Sequence, residues 1–210
     1  MMKKLSYGIA MLFLANIAVI NTASATVGGG QSLDVLGYDA KDQKVYLLRH
    51  YEDERGRLPQ LYYYSLKASQ PTQLIEVKSI YLDPKTQKYD YYLREKQVYQ
   101  SIHQIKKRLI PLTQLNPKQV HVASNFTTKQ VTSWGDPELL ISQYRYQYQL
   151  IDQRKPITSK PTTATSYRQD LHVSQYYQIP KQNITLAVVK YFAFPEETGY
   201  SNEDALLLTR

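Results

Sequence analysis

The sequence predicts an α+β protein, predominantly antiparallel β-sheet in meanders and hairpins, with one main helix near residues 90–109. Three observations carry this. Short runs rich in Val, Ile, Leu and Tyr recur along the chain, bounded by turns that contain Gly, Pro, Asp or Asn. The connections between neighbouring runs are too short for parallel crossovers, so neighbours pair antiparallel. Only one stretch, Val98, Ile102, Ile105 and Leu109, repeats apolar residues at helical spacing.

The elements follow in order. Residues 33–38 read as a short strand, with a turn at 39–42. Residues 45–51 are a strong strand of β-branched and aromatic residues, and a polar loop at 52–57 leads to the return strand at 61–66. A further strand is expected at 74–82. Asp83-Pro84 suits a turn or a helix start, and Pro111 stops the helix. The helix start is the open end, since 89–93 also suits a strand paired with 79–82. Strands are then expected at 120–126 and 139–151, around a turn at 132–137. Strand 139–151 alternates cleanly: Tyr144, Tyr146, Tyr148 and Leu150 share one face, and Arg145, Gln147 and Gln149 the other. Residues 154–168, with two Pro, four Thr and two Ser, read as an exposed excursion. The last strands are 171–179, 184–194 and 205–209.

Ahead of these elements lies an export signal. Lys3 and Lys4 form a positive start, residues 8–20 are nearly all apolar, and Ala23-Ser24-Ala25 offers the small residues a signal peptidase accepts. Cleavage is expected between Ala25 and Thr26. The apolar run is shorter than the roughly 20 residues a spanning helix needs. The organisation is therefore a signal peptide at 1–25, a glycine-bearing flexible leader at 26–32, and a single β-rich domain at 33–210. Removing 25 of 210 residues leaves 185, enough for one ordinary core. The expected location is periplasmic or secreted, with no transmembrane segment after signal removal.

Composition narrows the chemistry. The chain has no Cys, which excludes thiol catalysis, disulfides and lipid attachment through cysteine. Two of the 26 Lys+Arg leave with the signal, so the mature chain carries 24 bases against 18 acids, a net of +6. Such a balance favours an anionic envelope polymer or an envelope protein as partner. The densest basic cluster is Lys106-Lys107-Arg108, too short to mark a nucleic-acid groove. Tyrosine dominates the aromatics, at 20 against 4 Phe and 1 Trp. Its ring packs on a sheet while its hydroxyl stays wet, and it also suits sugar and peptide surfaces.

The hairpins at 45–66 and 186–209 resemble one another. Val45-Tyr46-Leu47-Leu48-Arg49-His50-Tyr51 matches Leu186-Ala187-Val188-Val189-Lys190-Tyr191-Phe192 as four apolar residues, a base, then ring residues. An acidic, glycine-bearing loop and an apolar strand follow each. Internal duplication is one reading; shared hairpin grammar is the other.

Candidate sites follow from residue type. Glu52, Asp53, Glu54, Glu196 and Glu197 are the catalytic candidates, as loop carboxylates able to form an acid/base pair if brought together. Tyr144, Arg145, Tyr146, Tyr148, Tyr176 and Tyr177 are the binding candidates, an aromatic–basic interleaving able to stack rings and neutralise anions. The four histidines, His50, His103, His121 and His172, form no paired metal-ligand spacing, so neither metal nor cofactor is expected. No Gly-x-Ser-x-Gly elbow is present. The reading that results is a non-catalytic envelope binding or accessory module. The alternatives are a cell-wall or saccharide hydrolase and a purely structural accessory protein.

Overall fold

A computed structural model describes residues 29–52, 55–68, 71–133, 136–194 and 199–210. The predicted class holds: the chain is mostly antiparallel sheet with a single α-helix among the described residues. The strands are β1 (Gln31–Asp39), β2 (Lys44–Tyr51), β3 (Gln60–Ser65), β4 (Leu74–Glu76), β5 (Thr113–Leu115), β6 (Val120–Thr132), β7 (Leu140–Asp152), β8 (Thr162–Ser166), β9 (His172–Gln178), β10 (Thr185–Tyr191) and β11 (Asn202–Leu208). The helix, α1, spans Glu95–Lys106.

Eight strands follow in the order β4-β3-β2-β1-β11-β10-β9-β5, and three form a separate sheet, β6-β7-β8. Within the eight, β1 and β11 run parallel and pair only at Gln31↔Asn202. Beyond that bridge the two halves separate into stacked layers, as the alternation of side chains shows. Val45 and Leu47 point to one side of β2, while Leu186 and Val188 point to the opposite side of β10, yet all four share one core. The order of layers is therefore α1, the β1–β4 sheet, the sheet of β11, β10, β9 and β5, and the three-stranded sheet.

Each interface has its own apolar filling. Tyr46, Leu48, Leu61, Tyr81, Val98 and Ile102 join α1 to the first sheet. Leu33, Val45, Leu47, Leu186, Val188 and Leu207 fill the middle. Tyr146, Tyr148, Leu150, Tyr176, Val189 and Leu208 join the second sheet to the third. A fully buried Leu or Val contributes about 1.5–3 kcal/mol, so the cysteine-free chain has ample apolar burial.

Both hairpins singled out by their wording belong to meanders, β1-β2-β3 and β9-β10-β11. The two meanders run the same way across the strand order. A shift of three strands places β2 on β10 and β3 on β11.

Several boundaries differ from the sequence reading. The helix begins at Glu95, not near residue 90. The preceding chain is extended: Leu82 bridges Tyr89, and Asp90 N–H donates to the Tyr81 carbonyl at 2.9 Å. The Asp90 carboxylate then accepts from the backbone of Tyr92 and Leu93, which forms a turn in place of a helical one. The helix also ends at Lys106, short of residue 109, and Ile110 beyond it exchanges both backbone hydrogen bonds with Tyr38, at 2.8 and 2.9 Å. Beyond β4, Lys78–Tyr81 is a 3-10 turn where a continuous strand was expected. Part of the expected excursion at 154–168 is β8, recruited by Tyr144–Tyr148 of β7. The leader expected at 26–32 already joins β1 at Gln31, and Gly30 is buried, its carbonyl accepting from Glu52 N–H at 2.9 Å.

Asp39 fastens the end of α1 to β1. Arg108 Nε donates to its carboxylate at 2.6 Å, and the N–H groups of Lys41 and Asp42 donate at 3.1 and 3.2 Å. Burial pushes this carboxyl up. The Arg108 hydrogen bond and charge, together with the two N–H groups, outweigh it and hold the group below its ordinary value.

Candidate binding site on the three-stranded sheet

The outer face of the three-stranded sheet is polar by alternation. Register places Asn125, Gln147 and Thr163 in one row and Thr127, Arg145 and Thr165 in the next. Three depressions lie on this sheet, and all three border Gln147. Two of them also border Arg145, whose side chain is exposed. The roomiest, of 460 Å³, is lined by Arg145, Gln147, Thr163, Ala164, Thr165 and Tyr191. The linings of these depressions offer hydroxyls, amides and the Arg145 cation, which suits hydrogen bonding to a hydroxyl-rich anionic chain.

Tyr191 connects that depression to a polar wedge where β1 and β11 part. Its hydroxyl donates to Asp204 at 2.8 Å. Arg49 donates to the other Asp204 oxygen at 3.2 Å and to Gln31 at 2.8 Å. Side chains here replace the missing ladder. Leu33 N–H donates to Glu203 at 2.8 Å, and the Tyr64 hydroxyl donates to the Ala205 carbonyl at 2.6 Å. Tyr148 OH, Arg49 Nε and Asn202 Oδ1 are buried there without a hydrogen-bond partner. Burial, reinforced by the Asp204 charge, pushes the phenols of Tyr64, Tyr148 and Tyr191 well up, so they remain neutral.

The predicted binding residues are divided by the fold. Arg145 is exposed on the outer face. Tyr146, Tyr148 and Tyr176 are buried, at 4%, 2% and 0% exposure, between the second and third sheets. Tyr144 packs at the margin of that core, and Tyr177 faces the middle one. The six residues therefore do not share one surface. Arg49, Tyr191, Asn202 and Asp204 were not singled out as site residues. The available signal was the base that closes each four-residue apolar run. Arg49 pairs with Asp204, and Lys190 pairs with the adjacent Glu203 at 4.0 Å.

Of the catalytic candidates, Glu52 is exposed just beyond β2. Asp53, Glu54, Glu196 and Glu197 lie outside the described residues. The preceding strands end in one row, Tyr51↔Gln31↔Asn202↔Tyr191. Among the described residues no group of three His, Asp or Glu is placed to hold a metal ion. His50 pairs with Asp34 at 3.0 Å on the surface, and His172 bonds the Asp170 carbonyl at 2.5 Å.

No family model, no curated protein and no solved structure matches this chain. The functional reading therefore rests on the residues and their geometry.

Proposed function

We propose that this is an exported envelope protein, periplasmic or secreted, that binds an anionic, hydroxyl-rich envelope polymer without catalysis. The carrying observation is the outer face of the three-stranded sheet, where three depressions border Gln147 and two of them Arg145. The excess of positive charge supports it: residues 118–168 carry seven Lys or Arg against three Asp or Glu. The export signal in the sequence supports the location, and among the described residues no helix is long and apolar enough to cross a membrane. The hydrolase alternative requires loop carboxylates in one cleft, and the accessory alternative requires no ligand on this face.

Two outcomes test the proposal. The protein purified from its native host is expected to begin at Thr26, as read by intact mass. A chain retaining Met1 and found in the cytosol would refute export. The mature protein is also expected to retain polymer from envelope extract at low salt and to release it at high salt. Arg145→Glu should weaken that retention about tenfold, the scale of reversing one exposed charge against a polyanion. The side chain is exposed, so the thermal midpoint should hold. Equal retention by both proteins would remove this face from consideration.

A further inference from the structure

The knob formed by residues 78–99 is independent of that face. Tyr89 (54%), Tyr92 (48%), Leu93 (84%) and Tyr99 (44%) are four of the large apolar side chains left exposed among the described residues. They fall in one turn and the first turns of α1. Leu93 is the most exposed large apolar residue described. The turn that carries it is pinned: Asp90 accepts from the N–H groups of Tyr92 and Leu93 at 2.8 and 3.0 Å, and Arg94 donates to the Leu82 carbonyl. An apolar tip on a pinned turn loses little freedom when it inserts into a partner.

The charges around the tip are mostly positive. Lys78, Lys85, Lys88 and Lys96 are exposed, and Lys78 Nζ stands 5.9 Å from the Tyr89 ring centre. Of the three acids in the same stretch, two accept from neighbouring backbone N–H groups. Asp83 accepts from Lys85 and Thr86 N–H, and Asp90 holds the Tyr92 turn. Glu95 is the exposed acid.

We infer that this knob docks on an anionic lipid bilayer. Tyrosine rings settle at the level of lipid headgroups with the hydroxyl wet. Leucine reaches past them, and lysines gain from the negative surface. Charge complementarity argues for the lipid surface: exposed lysines surround a small apolar tip, and an anionic headgroup layer offers them opposite charge around an apolar interior that accepts the tip. The docking is peripheral and brings the protein to the membrane without a spanning segment.

Vesicle co-sedimentation of the mature protein tests it, using phosphatidylglycerol–phosphatidylethanolamine vesicles against pure phosphatidylcholine vesicles. The protein should sediment with the anionic vesicles only. Leu93→Asp should reduce the bound fraction at least about tenfold, the scale of losing one inserted leucine and adding a charge. The double variant Lys85→Glu with Lys88→Glu should do the same, and both should keep the wild-type thermal midpoint because the three side chains are exposed. Arg145→Glu should sediment normally, which separates this surface from the polymer face. Failure of the wild type to sediment, equal binding to phosphatidylcholine, or unchanged binding of Leu93→Asp would each overturn the inference.

Discussion

Leu47→Ala is expected to destabilise the fold by about 2–5 kcal/mol, the range for truncating a fully buried leucine. Leu47 is 0% exposed and lies in the middle core, which joins the two halves of the strand order. Its neighbours come from both layers, among them Val45 on its own strand and Leu186 and Val188 on β10. Strand backbones fixed by ladders on both sides cannot close easily over the cavity. For a domain of this size the midpoint should fall by about 4–20 °C in a thermal melt. A fall of under one degree would show that the two sheets do not pack through this residue.

Gly37→Ala should come close to that loss, at about 2–5 kcal/mol, by a different route. Gly37 has φ of 140°, a conformation that side chains rarely adopt. A Cβ there would stand 2.8 Å from the Ile110 carbonyl oxygen and 3.0 Å from Leu109 Cβ. Both contacts belong to the segment that Tyr38 holds through two backbone hydrogen bonds. Relief therefore requires the segment after α1, residues 108–110, to move off β1, which also disturbs the Arg108–Asp39 contact. Urea melts give the stability. Hydrogen exchange at Tyr38 and Ile110 locates the damage, and unchanged protection there would refute this account.

The geometry bears on the likeness of the two hairpins. A shift of three strands superposes their order and direction, and the base of each meets one of two successive acids on β11. Repeated wording and repeated placement agree, which supports duplication as a proposal. Each meander buries one face against its twin and needs a cover on the other. α1 covers the first and the three-stranded sheet covers the second.

The candidate site was legible only in part. Arg145 could be placed on a wet face because strict alternation with Tyr144, Tyr146 and Tyr148 separates the two sides of β7. Alternation does not say which polar residues a depression will gather, so Thr163 and Thr165 went unnoticed in a stretch read as loop. The corner wedge was hidden for another reason. Arg49 and Asp204 are 155 residues apart in sequence, and no local pattern marks a pair brought together by two strands that diverge. Leu93 was likewise absorbed into a helix that begins two residues later, at Glu95.

The class of fold, the strand periodicity and the amphipathic helix α1 are properties of neighbouring residues, and the sequence alone determined them. Local alternation decides which side of its strand each residue takes, and helical spacing decides the apolar stripe of α1. Only the tertiary structure decided that β1 and β11 touch at a single pair and then part into layers. The same holds for the helix ends, which long-range hydrogen bonds to Tyr38 and Tyr81 set, and for the recruitment of β8. These outcomes depend on which distant backbone groups and apolar faces are free to pair, and residues near in sequence carry no record of that.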